Sequence, residues 1–469
     1  MSEPEPGVVG ARRFDAIIVG AGQAGPALAG RLTEAGMTVA VVERGPVGGT
    51  CVNVGCTPTK TLVASAYVAR MAARAADYGV LLAGPPAIDM GAVRARVDAV
   101  VGASRDGLAE WLGAMPGCEL IHGYARFEGE RLLRVGTQLI TADKVFLNVG
   151  GRPSLPAMRG SDTVRCLTSS DMIALDTVPQ HLVIVGGSYI GLEFAQIFRR
   201  FGAAVTIVER GPRLVAHEDP EVSAEIAAIL EHEGIVVRLG ANCIGMRPDA
   251  DGIAVDVDCA HDARASIGSH LLMAVGRRPN TDDLGLALAG VAVDAAGYIT
   301  VDAQLRTSAA GVWALGDCNG RGAFTHTAYN DFEIVAANLL DGAARSVDAR
   351  IPVYALFIDP PLGRVGMTAT QARASGRRVG MGMRPMQRVA RAVEKGETQG
   401  SMRVVVDLDT GEILGAAVLG PGGDEAVHQI LAAMAAGTRY TQLAQLMAIH
   451  PTVSELLPTI LGEVQPLAP

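Results

Sequence analysis

At 469 residues the chain is too long for one hydrophobic core, and two to four domains are expected. A net charge of −9, spread along the chain, argues against nucleic acid or an anionic membrane as partner, since both call for a basic surface. No apolar run approaches the ~18 residues of a membrane span, and Met1-Ser2-Glu3-Pro4-Glu5-Pro6 lacks the basic start and apolar core of a signal peptide, so a soluble, cytoplasmic protein with a disordered lead is expected.

Phe14 to Val19 reads as a short buried strand, followed by Gly20-Ala21-Gly22-Gln23-Ala24-Gly25 and a helix that Gly36 stops. Thr38 to Val42 is a second strand, and Glu43 ends it. This is a βαβ dinucleotide fingerprint in its proper context. Gly20, Gly22 and Gly25 allow a tight turn and close approach of a pyrophosphate to the helix N-terminus, and Glu43 stands where a carboxylate accepts from a ribose.

Next comes Gly49-Thr50-Cys51-Val52-Asn53-Val54-Gly55-Cys56-Thr57-Pro58-Thr59-Lys60. Seven scattered cysteines in a long cytosolic chain are not a disulfide scaffold, and a close pair among them points to catalysis or metal. Structural zinc calls for a second pair at matching spacing, and none is present, so no metal site is expected. Cys118, Cys166, Cys243, Cys259 and Cys318 carry no motif and read as packing residues, Cys318 close to the cofactor. Only three lysines occur among 40 basic residues, and one of them, Lys60, follows the pair.

Asp89 to Trp111 is helical in pattern, and Leu120 to Leu147 reads as short strands. The fingerprint then recurs. His181 to Val185 leads to Gly186-Gly187-Ser188-Tyr189-Ile190-Gly191, a helix runs through about Arg200, and a strand ends at Glu209. The distance from Gly186 to Glu209 equals that from Gly20 to Glu43, which predicts a second dinucleotide domain. Its middle glycine is displaced to Gly187, which loosens the match. Gly150-Gly151-Arg152-Pro153 and Gly276-Arg277-Arg278-Pro279 look like paired turns into and out of an inserted domain. The expected architecture is α/β. Residues 1–154 and 276–345 form a first Rossmann-like domain, and 155–275 a second inserted in it. Residues 346–469 form an α+β dimerisation domain with a hairpin over Met402–Leu419.

Gly316-Asp317, directly after the strand Val312 to Leu315, places a carboxylate for a cofactor hydroxyl. Near the end, Thr452-x-x-Glu455 is a possible capping box, which gives Glu455 a structural role to set beside any catalytic one.

A cysteine pair on a segment that starts a helix can close a small disulfide, with helix amides lowering a thiol pKa. One thiol must face substrate and the other an electron donor. The first nucleotide fold supplies that donor as FAD, and the second binds NAD(P)H to reload it. Acidic Glu209 favours NADH, with NADPH left open by the adjacent Arg210.

From Phe14 to about Ile460 the chain resembles the flavoprotein pyridine nucleotide–disulfide oxidoreductases, the group of glutathione reductase, dihydrolipoamide dehydrogenase and mercuric reductase. Gly-Gly-Thr-Cys-x4-Cys-x-Pro-x-Lys and the terminal His450-Pro451-Thr452-Val453-Ser454-Glu455 carry the resemblance. Thr57-Pro58-Thr59-Lys60 and Tyr354 to Pro361 look most like mercuric reductase-like proteins, including those related to hypochlorite-response copper reductases. The resemblance implies that Cys51 is the interchange thiol and Cys56 the charge-transfer thiol against the flavin. It pairs Lys60 with Glu193 near the flavin and makes Tyr189 the gate of the nicotinamide pocket. Gly49, Thr50, Lys60, Gly276, Gly316 and Asp317 join the cofactor set. His450, held by Glu455, becomes the acid–base group and reaches Cys51 across a two-fold homodimer.

The tail Gly462 to Pro469 lacks the vicinal cysteines of authentic mercuric reductases, and no amino-terminal metal-carrying domain is seen, which argues against mercuric ion as the physiological substrate. The acceptor is left as a disulfide, a soft metal ion or an oxidant. Alternatives are dithiol oxidation by NAD+ in the manner of dihydrolipoamide dehydrogenase, a redox-sensing or electron-transfer flavoprotein, and a diaphorase that ignores the cysteines.

Overall fold

A computed structural model describes residues 10–241, 243–257 and 265–468. The acidic lead and Cys259 lie outside them. The chain forms two compact units.

The first unit comprises the described residues up to Thr61, with Ala95–Ser154 and Gly276–Arg350. Its sheet sets Cys118–His122, Val39–Glu43, Arg12–Val19, Gln138–Leu147 and Val312–Ala314 side by side in parallel. The antiparallel strands Leu132–Val135 and Ala125–Gly129 extend it from the start of Gln138–Leu147, on the edge whose far end takes Val312–Ala314. Successive residues of the parallel strands enter different cores. Ile17, Val19, Val145 and Leu147 join one cluster, whereas Ile18, Val41 and Phe146 join another with Leu28 and Leu32 of the helix Ala24–Glu34. Strands buried on both faces explain the unbroken apolar runs of the sequence.

The two Gly-Arg-Pro segments are not turns. Gly151–Pro153 and Arg277–Pro279 are short strands that pair antiparallel with each other, so the ends of the intervening chain are zipped together.

The second unit holds 62–94, 155–275 and 351–469. One sheet is parallel, in the order Val236–Arg238, Ala204–Val208, His181–Val185, His270–Met273, Cys166–Leu167. A small antiparallel sheet follows, made of Gly245–Asp249, Gly252–Asp256 and Ser266–Gly268. The carboxy-terminal sheet is antiparallel and contains the hairpin Ser401–Asp407/Ile413–Leu419, against which the helix Gly423–Ala435 packs Val427 and Ile430.

Polar ties join 155–275 to 351–469. Along one face of the helix Tyr189–Arg200, Glu193 accepts from the Phe357 amide at 3.1 Å, and Gln196 both accepts from and donates to the Asp359 backbone at 2.7 and 2.9 Å. Arg200 pairs with Glu233 at 2.6 Å and with Asp359 at 2.8 Å. These residues recur three or four apart, so the helix presents them as one stripe. Elsewhere Arg364, 2% exposed, pairs with Glu218, 0% exposed, and Tyr354 donates to the same carboxylate. Asp219 accepts from the amides of Ala369 and Thr370 at 3.0 and 2.9 Å.

Cys243 is disulfide-bonded, so it is not the simple packing residue expected. Cys318 is buried, as a packing residue should be, and burial pushes its thiol up to about 12.

Candidate functional site

The first nucleotide loop shows why its glycines are needed. Gly20 has φ +106°, and a Cβ there would lie 2.3 Å from the Asn148 carbonyl oxygen. A Cβ on Gly25 would lie 2.3 Å from the Gly20 carbonyl. At Gly22 the nearest atom would be 3.4 Å away, so that glycine leaves an open face rather than relieving a clash. Asn148 donates to the Gly20 carbonyl at 3.2 Å and clamps the loop from the neighbouring strand. Glu43 accepts from Ala21 N through one oxygen and from Gly45 N through the other, both at 2.8 Å.

The helix Gly49–Val54 starts against this loop. Gly48 N donates to the Ala21 carbonyl at 2.8 Å, and a Cβ on Gly49 would lie 2.9 Å from Gly22 Cα. The stretch carrying the cysteines is therefore anchored on the nucleotide loop, with Gly49 and Thr50 at the junction.

Cys51 belongs to Gly49–Val54, and Cys56 opens the helix Cys56–Ala73. Gly55 breaks the two helices at φ −136°, ψ −116°, and a Cβ there would come within 2.7 Å of the Thr50 carbonyl. The break brings the two sulfurs together as thiols. Lys60 follows Cys56 by four residues and so shares its helix face. Helix amides were expected to lower a thiol pKa, but Cys51 is shifted upward. Its hydrogen bond to Cys56 is the main cause, followed by burial. The two thiols are thus hydrogen-bonded to each other. Cys51 is half-buried and Cys56 exposed, an order of exposure opposite to an outward Cys51 and inward Cys56.

Gly316 and Asp317 lie on the turn after Val312–Ala314. Buried Asp331 holds that turn, accepting from Gly316 N at 2.7 Å and from Asn319 Nδ2 at 2.9 Å. Burial raises the Asp317 carboxyl, and Arg277, 3.5 Å away, opposes the rise. Arg277 also donates to the Gly151 carbonyl at 2.6 Å. Gly276 has φ +123° and an open Cβ direction. The first unit therefore gathers Gly20, Gly22, Gly25, Glu43, Gly49, Thr50, Cys51, Cys56, Lys60, Gly276, Gly316 and Asp317. Sequence reading passed over Asn148, Asp331, Arg277 and Thr325. An amide beside a glycine turn was the available signal for Asn148, whereas Asp331 reaches Gly316 from 15 residues away inside a helix and carried no such signal.

The second unit repeats the loop. Gly186 has φ +115° and would clash with the Ala274 carbonyl at 2.4 Å, and Gly191 with the Gly186 carbonyl at 2.4 Å. Glu209 accepts from Gly187 N and Gly211 N, both at 2.6 Å, as Glu43 does in the first loop. The displaced glycine has a local cause: a Cβ on Gly187 would lie 2.6 Å from Leu214 Cδ2. Ser188 stands where Gly22 stood, the position without a steric need for glycine. Tyr189 packs edge-to-face on Tyr354 with centroids 5.4 Å apart. Glu193 is buried within this unit, whereas Lys60 belongs to the other. A cleft of about 340 Å³ opens between His217, Tyr354, Arg364, Met367 and Gln371.

His450 Nδ1 lies 2.9 Å from Glu455, with the imidazole 75% exposed and the carboxylate 11% exposed. Glu455 is thus a partner of the histidine, not half of a capping box. Thr452 Oγ1 donates instead to the Ile449 carbonyl at 2.8 Å, and Val453 occupies the cap position. Met447 and Ile449 beside it are 95% and 79% exposed. None of the described helices is long and apolar enough to cross a membrane.

The profile of the family described as pyridine nucleotide-disulphide oxidoreductase matches residues 14–331, and that of its dimerisation domain matches residues 353–460. The chain is 35% identical over 449 residues to a mercuric reductase of Streptomyces lividans, covering 95% of this chain and 94% of that one. It is also 35% identical over 454 residues to the probable pyridine nucleotide-disulfide oxidoreductase RclA of Escherichia coli, covering 95% and 98%. The solved Cu(II) complex of the HOCl-induced flavoprotein disulfide reductase RclA from Escherichia coli superposes with a TM-score of 0.88 at 33% identity, covering 97% of this chain and 100% of that one.

Proposed function

This chain belongs to the pyridine nucleotide-disulphide oxidoreductase family, and from that membership we propose that it passes electrons from NAD(P)H through Cys51 and Cys56 to a small disulfide or soft metal ion. The family's cofactors are FAD and NAD(P)H, and bound FAD carries two electrons from the nicotinamide to the cysteine pair. The observation that carries the reading is the folding back of Cys51 and Cys56 onto each other directly against a braced nucleotide loop.

The Gly20–Gly25 loop would hold the FAD pyrophosphate, Glu43 its ribose, and Asp317 a ribityl hydroxyl. The Gly186–Gly191 loop and Glu209 would hold NAD(P)H, with Tyr189 over its ring end. Residues 155–275 are taken as the NAD(P) domain and 346–469 as the dimerisation domain. Lys60 and Glu193 are assigned as the pair beside the flavin, on motif position alone. Glu193 is itself oriented by the Phe357 amide.

Two electrons break the Cys51–Cys56 bond, and with one proton taken up they leave a thiol on Cys51 and a thiolate on Cys56. That order is the one the family resemblance implies, and the hydrogen bond between the two sulfurs keeps them within reach of each other, with Cys56 the more exposed. Cys51 must lose its proton to attack, so it needs a base. The assigned base is His450 of the partner subunit, and its exposure, the carboxylate behind it and the apolar Met447 and Ile449 around it support that assignment. The Cys51 thiolate attacks a substrate sulfur and expels a thiolate, which the imidazolium protonates. Cys56 then attacks Cys51, expels the second product as a thiolate that takes its proton from solvent, and restores the disulfide.

Anaerobic mixing of the NADH-reduced enzyme with glutathione disulfide, lipoamide, Cu(II), Hg(II) and small organic disulfides tests the reading. Rapid re-oxidation by at least one is expected, and inertness toward all of them, with free quinones still reduced, would favour a diaphorase. His450→Ala is expected to slow re-oxidation by a disulfide on the order of 10²-fold while flavin reduction by NADH keeps its rate. Equal turnover in that variant would make His450 structural.

A further inference from the structure

One hydroxyl lies within reach of both reactive sulfurs. Thr325 Oγ1 donates to Cys51 Sγ at 3.2 Å and lies 3.3 Å from Cys56 Sγ, where either atom can be the donor. Thr325 is the first residue of the 16-residue helix Thr325–Leu340, so the positive end of that helix dipole lies beside the pair as well. Its backbone is held on both sides. Thr327 Oγ1 accepts from Phe324 N at 3.1 Å and donates to the Phe324 carbonyl at 2.7 Å. One turn further along, Asp331 bonds Gly316 N and Asn319. The hydroxyl is therefore placed by a fixed helix start, and only its proton is free to turn.

A hydroxyl carries one proton and two lone pairs. Rotation about the Cβ–Oγ bond can aim the proton at Cys51 or at Cys56 without moving a heavy atom. We propose that Thr325 is a third member of the dithiol site, whose single hydroxyl proton stabilises whichever sulfur carries the negative charge: Cys56 while the pair waits reduced, and Cys51 at the moment of attack. No bond is made or broken at Thr325; the proton stays on its oxygen throughout. The two sulfurs share one hydrogen bond, and Thr325 supplies another that does not vanish when the pair loses its proton. This inference rests on Cys51 and Cys56 being the redox pair.

The test compares Thr325→Val, which keeps shape and removes the donor, with Thr325→Ser, which keeps the donor. In the NADH-reduced holoenzyme, alkylation of Cys51 by iodoacetamide at pH 7 is expected to slow roughly tenfold in Thr325→Val and to recover in Thr325→Ser. In a Cys51→Ser background, the long-wavelength absorbance of the Cys56 thiolate beside oxidised flavin should titrate about one pH unit higher once Thr325→Val is added. Unchanged alkylation and an unchanged titration midpoint, with full flavin content, would overturn the proposal. A Cys51→Ser enzyme with no such absorbance at any pH would instead overturn the assignment of Cys56, and Thr325 would then be judged by the alkylation rates alone.

Discussion

Cys51→Ser is expected to lower NAD(P)H-dependent disulfide reduction on the order of 10³-fold or more, while anaerobic reduction of the flavin by NADH proceeds at the parent rate. The two halves of the reaction separate because the variant removes the attacking sulfur and leaves the nucleotide loops untouched. The same variant should show a long-wavelength absorption band at pH 8, from a Cys56 thiolate beside oxidised flavin. The expectation follows from the proposed role of Cys56 as the sulfur beside the flavin, in a pair whose two sulfurs are hydrogen-bonded to each other. Stopped-flow absorbance reads both outcomes in one experiment. Undiminished turnover would mean that electrons leave the flavin without passing through the cysteines, and a missing band would reverse the roles of the two sulfurs.

Glu218→Gln should cost about 3–5 kcal/mol of stability, because it takes from the buried Arg364 the carboxylate that meets it most closely. Arg364 is 2% exposed and loses its main carboxylate, keeping only Asp219 at 3.6 Å, while the Gln carbonyl oxygen can still accept from Tyr354. Urea unfolding followed through Tyr354 and its surroundings measures the loss. A change below about 1 kcal/mol, the range of a surface pair, would mean that water reaches the site. The double variant Glu218→Leu, Arg364→Met should recover much of the loss, since replacing both partners leaves no unpaired charge. Asp219 gives the same region acid sensitivity. Burial alone would raise its carboxyl, but the amides of Thr370 and Ala369 and the Arg364 charge hold it below the usual carboxylate range. Its contribution is therefore present above that range and is lost as the pH falls through the lowered value.

The nucleotide loops were legible in the sequence because each requirement there is local. Gly20 and Gly25 avoid clashes with backbone atoms, and Glu43 reaches two amides within its own βαβ unit. Even the irregular second loop has a near cause, the Leu214 side chain against Gly187. What was missed depends on residues far apart in the chain. Gly151–Pro153 and Arg277–Pro279 read as turns because neither short strand exists without the other, and 126 positions separate Gly151 from Arg277. Glu218 and Arg364, 146 positions apart, each look like surface charges until the fold pairs them. Thr325 sits where any helix start accepts a threonine, and nothing in its own neighbourhood signals two sulfurs. At Thr452-x-x-Glu455 a capping pattern was present, but the histidine five residues before Glu455 took its carboxylate instead.

The double brace of Glu209 bears on attempts to change the nucleotide that the enzyme accepts. Both of its oxygens are committed to amides of its own loop, so a substitution there alters selectivity and scaffold together. Removing the acid to admit a 2′-phosphate would release Gly187 and Gly211 from their acceptors, and a drop in affinity would conceal any gain in preference. The adjacent Arg210 is exposed and holds no loop amide through its side chain. If the second loop holds the coenzyme as proposed, position 210 is a handle on coenzyme choice that can be changed with Glu209 left in place as the frame of the loop.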